Sequence, residues 1–174
     1  MINNEPLISI ITPCYNSSEF IARMLDSILC QTYGNIELIC VDDGSVDNTE
    51  GIIKSYIEKF EINCKKLIYI HKEHNGQAAA VNVGLKIILG KYFGLLDSDD
   101  FLTSDSIEKK VRALEENMNY SIVASDYYVV QESNLKNIIR LGNDYIGNLR
   151  FQPYQFYLAI AGYSSVTPLG YLIR

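Results

Sequence analysis

Positive charge is scarce in this sequence. Its 15 Lys plus Arg are outnumbered by 21 Asp plus Glu, giving a formal net charge of -6, and no basic stripe appears along it. Broad binding to nucleic acid or to an anionic membrane surface is therefore disfavoured. A bilayer-spanning run is missing too. LISIIT near the amino terminus is short and ends at Pro13, and YLAIAGY is the nearest later approach, so the opening segment reads as a strand and not as a signal peptide. The cysteines Cys14, Cys30, Cys40 and Cys64 lack the close paired spacing of a zinc site and lie in or beside apolar segments. That predicts buried free thiols in a reducing cytosol. After the first apolar run comes PCYNSS, which is neither a GxGxxG turn nor a lysine-bearing phosphate loop, and this counts against a dinucleotide oxidoreductase or a P-loop protein. Internal repeats, low-complexity tracts and flexible linkers are also missing.

What is present is a chain that is 48% hydrophobic, ample for a packed core of one domain, or of a domain and part of another. Short apolar runs alternate with helical periodicity: LISIIT, a helix near 18–30, IELICV, a helix near 48–60, LIYI, a helix near 77–89, and YFGLL. This alternation predicts an α/β fold, a mostly parallel sheet with helices on both faces. The first helix should bury Phe20, Ile21, Met24, Leu25, Ile28 and Leu29, and the second Ile52, Ile53, Tyr56, Ile57 and Phe60. Asp47 with Glu50 resembles a capping pair for the second helix. Thr103 or Ser104 would cap a fourth, whose apolar face holds Ile107, Val111 and Leu114. SIVASDYYVV reads as one further strand, and the aromatic-rich segment Phe151 to Tyr163 as helical. LGYLIR stops without a turn or cap, so the carboxyl part reads as truncated. The expected division is 1–100 for one subdomain and 101–174 for the incomplete start of a second.

Two acidic clusters stand where apolar runs stop: Asp42-Asp43 after IELICV, and Asp97-Ser98-Asp99-Asp100 after YFGLL. Strands that end in carboxylates deliver them to the carboxyl edge of the sheet, where open α/β sheets bind ligands. Crowded carboxylates are costly unless a cation or hydrogen-bond donors compensate them, so a divalent metal with a phosphorylated ligand would meet the need.

Four blocks, ISIITPCYN, ELICVDDGSVDNT, HNGQAAAVNVGL and GKYFGLLDSDD, in that order from about Leu7 to Phe101, resemble the nucleotide-binding half of family 2 glycosyltransferases with the GT-A fold. The resemblance implies a Rossmann-like sheet, a nucleotide-sugar donor (a UDP-sugar above others), Mn²⁺ or Mg²⁺, and transfer to the hydroxyl of a saccharide or lipid-linked acceptor with inversion, in glycan or polysaccharide biosynthesis. It places the Pro13–Tyr15 turn at the nucleobase and ribose, where Tyr15 offers a ring face and a hydroxyl; a packed tyrosine in a strand-ending turn is the plain alternative. Asp43 matches the acid that accepts from the imide N–H of uracil or thymine. Asp42 either joins the donor site or caps the following turn.

The third block opens the third helix, so backbone N–H groups from Asn75 through Gly76 to Gln77 are expected to face the diphosphate or sugar. Asn82 and Gly84 are assigned instead to a buried amide hydrogen bond and close helix packing, and His71 and His74 to surface or strand-end positions. LDSDD supplies the DxD motif. On the resemblance, Asp99 is expected to be the direct metal ligand and Asp97 to support the metal or contact ribose, while Asp100 either stands behind them or begins the next turn.

The family places its general base in a second acidic motif after the strand resembled by LGYLIR. The sequence ends at Arg174 before any such motif, so the catalytic base is unknown; Asp126 reads as structural. A continuation would complete the acceptor pocket and could carry peripheral membrane association, putting the whole protein in the cytoplasm or at the inner face of the membrane. Two other classes stay open: a noncatalytic nucleotide-sugar-binding protein and, less well matched, an acidic-loop phosphatase, whose loop would need Thr or Val where Phe101 stands.

Overall fold

The computed structural model describes residues 5–125, 127–131, 134–142 and 171–174. The alternation of runs becomes β1 (Ile8–Cys14), α1 (Ile21–Leu29), β2 (Ile36–Asp42), α2 (Thr49–Ile62), β3 (Lys66–His71), α3 (Gln77–Leu85), β4 (Tyr92–Leu95) and α4 (Ser106–Glu116). These are followed by the strands β5 (Ile122–Ala124), β6 (Tyr127–Gln131), β7 (Asn134–Gly142) and β8 (Tyr171–Ile173). Six strands form one sheet in the order β3-β2-β1-β4-β8-β5. Its first four are parallel, with Ile11 opposite both Ile39 and Leu95, and β8 runs antiparallel to β4 and β5.

Every residue of β1 and β2 is buried, the continuous pattern of strands covered on both faces. Side chains alternate across the pleat. Ile8, Ile10, Leu38 and Cys40 join Met24, Leu25 and Ile28 of α1, Ile53 and Phe60 of α2, and Val111 and Leu114 of α4. Ile11, Ile39 and Val41 face the other way and meet Ala80, with Val83 packed alongside. Each fully buried Ile, Leu or Phe contributes about 1.5–3 kcal/mol, so the two layers hold the sheet firmly beneath its carboxyl edge. α3 lies very close to it: a Cβ on Gly84 would meet Ile11 Cγ2 at 2.6 Å. Gly84 thus serves packing, as expected, whereas Asn82 is exposed because it falls on the outward side of α3, and the buried amide bond expected for it is not made.

Other expectations are corrected. Asp105, not Thr103 or Ser104, is the residue before α4, and it makes no side-chain capping bond. Asp47 accepts the Thr49 N–H at 3.0 Å, but Glu50 turns outward to Lys54 at 2.5 Å, since a partner one turn along is nearer than the helix start. SIVASDYYVV splits into β5 in the main sheet and β6, which pairs with β7 in a second sheet. Cys14 and Cys40 are buried, while Cys30 and Cys64 are exposed, because they follow helices that end at the surface. Asp126 and the segment Phe151–Tyr163 lie outside the described residues. Among the described residues no helix is long and apolar enough to cross a membrane.

Candidate functional site

From β1 the chain moves to β2 and β3 on one side, then returns to lay β4 on the other side of β1. The loops after β1 and β4 therefore diverge and open a crevice, the position where sheets of this kind take ligands. Here it is a cleft of about 450 Å³.

One wall is the end of β1 and the loop after it, with Pro13, Tyr15 and Phe20 facing the cleft. Tyr15 is exposed, its ring 4.3 Å from that of His74. The loop is sewn to the one after β2. Asn16, in a left-handed conformation (φ 48°) that asparagine tolerates, donates its N–H to Ser45 Oγ at 2.9 Å and accepts the Val46 N–H at 2.9 Å. The N–H groups of Ser17 and Ser18 go to Thr49 Oγ1 at 2.8 Å and Asp47 Oδ2 at 2.9 Å.

The floor separates the two neighbouring acids. Asp42 is 1% exposed and does not line the cleft. Its Oδ1 accepts the Ser45 N–H at 2.9 Å and its Oδ2 the Tyr69 hydroxyl at 2.7 Å, with His71 Nδ1 3.5 Å away. Burial opposes its charge, but those hydrogen bonds outweigh it and hold the carboxyl below its usual range. Of the two alternatives for Asp42, this is the turn-capping geometry.

Asp43 does line the cleft. Its Oδ1 accepts the Asn75 N–H at 3.0 Å and pairs with Lys72 Nζ, and its Oδ2 accepts the Gly76 N–H at 2.7 Å and meets His74 Nδ1 at 2.9 Å. Again burial is outweighed, by Lys72, Asn75 and Gly76, and the carboxyl is held below its usual range. The Asn75 and Gly76 N–H groups, expected to face a diphosphate, are thus turned to Asp43. A Cβ on Gly76 would meet nothing within 4 Å, so glycine is needed there for the φ of 89° that starts α3.

The opposite wall is the Asp97–Asp100 turn. Gln77 reaches the cleft through its side chain and donates to Asp97 Oδ1 at 3.0 Å. Burial first, and then the charge of Asp99, push the Asp97 carboxyl up. The same two causes, with Asp97 added and Arg23 opposing, raise Asp100 to about 6. The two acidic clusters therefore differ in kind. The first is saturated with donors; in the second, burial and neighbouring carboxylates disfavour the charge on Asp97 and Asp100. Asp97 and Asp99 both open on the cleft and fit a hard cation that takes the rest of its oxygen shell from a ligand. Among the described residues no third His, Cys, Asp or Glu joins them to make a self-contained metal cage.

Sequence reasoning passed over several participants. His74 is one. Another is a polar ladder on α1 and its continuation: Arg23 donates to the Asp99 carbonyl at 3.1 Å and lies 5.2 Å from the Phe101 ring centroid. Ser27 Oγ accepts the Leu102 N–H at 3.2 Å. Gln31 donates to the Thr103 carbonyl at 2.8 Å and accepts the Ile107 N–H at 3.1 Å. Their spacing of four, which puts polar residues on one helical face, was the available signal. Ser17 Oγ adds a contact to Ser98 Oγ at 2.8 Å.

Comparison with known proteins agrees with this geometry. The model of glycosyl transferase family 2 matches residues 9–165. An uncharacterised glycosyltransferase of Rickettsia prowazekii is 41% identical over 119 residues, which is 68% of this chain and 35% of that protein. The glycosyltransferase GlyG of Streptococcus pneumoniae is 36% identical over 74% of this chain and 41% of its own length. This chain thus spans well under half of either relative. Among solved structures, S. aureus TarS 1-349 in complex with UDP-GlcNAc superposes with a TM-score of 0.60 at 28% identity, covering 67% of this chain and 33% of TarS. The mannosyltransferase PcManGT of Pyrobaculum calidifontis, in complex with GDP-Man and Mn²⁺, gives 0.62 at 25% identity over 78% of this chain and 39% of its own. The architecture is GT-A, and the chain belongs to glycosyl transferase family 2.

Proposed function

We propose that this cleft binds a nucleoside-diphosphate sugar, with UDP preferred, together with Mn²⁺ or Mg²⁺. In the whole protein the sugar then passes to a hydroxyl of a saccharide or lipid-linked acceptor, with inversion, in glycan or polysaccharide biosynthesis. Residues 1–100 supply the donor side and 101–174 begin the acceptor side. The observation that carries this reading is the contrast between the two acidic clusters on one crevice. Asp43 is compensated by the protein, whereas burial and the neighbouring charge of Asp99 raise Asp97, and burial with the charges of Asp99 and Asp97 raises Asp100; a cation shared with a diphosphate is the compensation such a set calls for. A divalent ion held by Asp99, with Asp97 in support, would neutralise charge on the departing diphosphate. Tyr15 and Pro13 offer the base a ring face and a wall, and Asp43 an acceptor for its imide N–H. TarS solved with UDP and UDP-GlcNAc supports the uridine preference, and PcManGT solved with Mn²⁺ supports the metal.

Calorimetry with Mn²⁺ should give tighter binding of UDP than of ADP, CDP or GDP, and Asp43→Ala should remove most of that preference. Equal affinity for all four would overturn the uracil assignment. Binding of none would overturn the nucleotide reading altogether.

A further inference from the structure

The contacts of His74 duplicate those the cleft would offer a nucleobase. Its imidazole lies over the Tyr15 ring with centroids 4.3 Å apart and planes inclined by 30°. Its Nδ1 is 2.9 Å from Asp43 Oδ2 and 3.0 Å from the Asp43 carbonyl oxygen. Both partners are acceptors, so Nδ1 carries the proton. A flat heterocycle stacked on Tyr15 and donating a ring N–H to Asp43 is also a description of bound uracil. The approach is built into the backbone: Gly44 has φ 81°, and a Cβ there would lie 2.8 Å from the backbone nitrogen of His74.

The acceptor count sharpens the point. A carboxylate offers about four lone-pair directions, and Asp43 already meets Lys72 Nζ, the Asn75 and Gly76 N–H groups, and His74. A base N–H can enter only by replacing one of them. The two backbone donors are fixed by the turn into α3, and the Lys72 side chain is 18% exposed beside its counter-charge. The His74 side chain is 56% exposed, and its ring can swing toward solvent by side-chain rotation alone.

We infer that His74 is a resident competitor for the nucleobase, an intramolecular ring that must leave Tyr15 and Asp43 before a base can seat. The inference rests on the nucleotide reading of the cleft. It has a consequence that a residue clasping the bound base would not share. Removing the competitor strengthens binding of every nucleotide by one common factor, because the cost of displacing His74 is the same whichever base arrives.

Calorimetry of UDP and CDP with the wild-type protein and with His74→Ala tests this. Losing one stacked ring and one hydrogen bond corresponds to a gain of about five- to a hundredfold, equal for the two nucleotides, so that their ratio stays at the wild-type value. Unchanged or weaker UDP binding overturns the inference, and so does a gain confined to UDP. A second measurement needs no change at His74. In the wild-type protein its ring-proton NMR signals, separated from those of His71 with a His71→Gln variant, should move out of the Tyr15 ring current as UDP is added. Signals unmoved at saturation overturn the inference. If neither UDP nor CDP bound the wild-type protein or the variant, the nucleotide reading itself would fall instead.

Discussion

Replacing Asp43 by asparagine alters one atom of the cleft floor with almost no change of shape. The two carboxylate oxygens serve opposite sides: Oδ1 takes the Asn75 N–H and Lys72, and Oδ2 takes the Gly76 N–H and His74. Whichever way the amide is turned, its NH₂ confronts a backbone N–H, and Lys72 loses its counter-charge. A hydrogen bond to a charged group contributes about 1.5–3 kcal/mol, and an orphaned buried donor costs about 1–3 kcal/mol. The two overlap, so Asp43→Asn should destabilise the fold by roughly 2–4 kcal/mol. In a chain of this size each kcal/mol lowers Tm by about 2–4 °C, so thermal unfolding followed by circular dichroism should shift down by about 5–15 °C. The urea midpoint should fall with its slope unchanged. The pH dependence follows from the sign of the shift. Burial opposes the charge, but the donors win and the folded pKa lies below the unfolded value of about 3.9. The stabilisation is therefore complete above that value and is lost as pH falls through the folded pKa. The deficit of the variant should be largest near neutrality and shrink below about pH 4. A variant within about 0.5 kcal/mol of wild type at pH 7, or a deficit that grows on acidification, would refute the account.

Two further outcomes are expected. UDP affinity should fall on chelation and recover with Mn²⁺ or Mg²⁺, and Asp99→Asn should remove most of that metal-dependent gain while Asp97→Asn has a smaller effect; an Asp99→Asn protein that keeps the full gain by calorimetry would exclude Asp99 as the ligand. Gly84→Val should destabilise by about 1–3 kcal/mol through overpacking against Ile11, read from the urea midpoint, and an unchanged midpoint would show that α3 can lift off the sheet freely.

The four βα repeats were legible in the sequence because strand and helix periodicity report burial, and burial is a local property of each segment. Ile36–Val41 announced a strand covered on both faces, and Ile53, Tyr56 and Phe60 announced the inner face of α2. The acids that end β2 and follow β4 announced the edge that holds the site. What Asp42 does beside Asp43 was not legible. Asp42 and Asp43 are neighbours of the same type, and only the pleat, which sends successive side chains to opposite faces, gives one to Tyr69 and Ser45 and the other to the cleft. The placement of β8 between β4 and β5, the ties from Arg23, Ser27 and Gln31 to the turn after β4, and the stack of His74 on Tyr15 join residues far apart in the chain. Such pairings depend on the spatial order of the strands, and local patterns, even the spacing of four on α1, do not say which partner each residue meets.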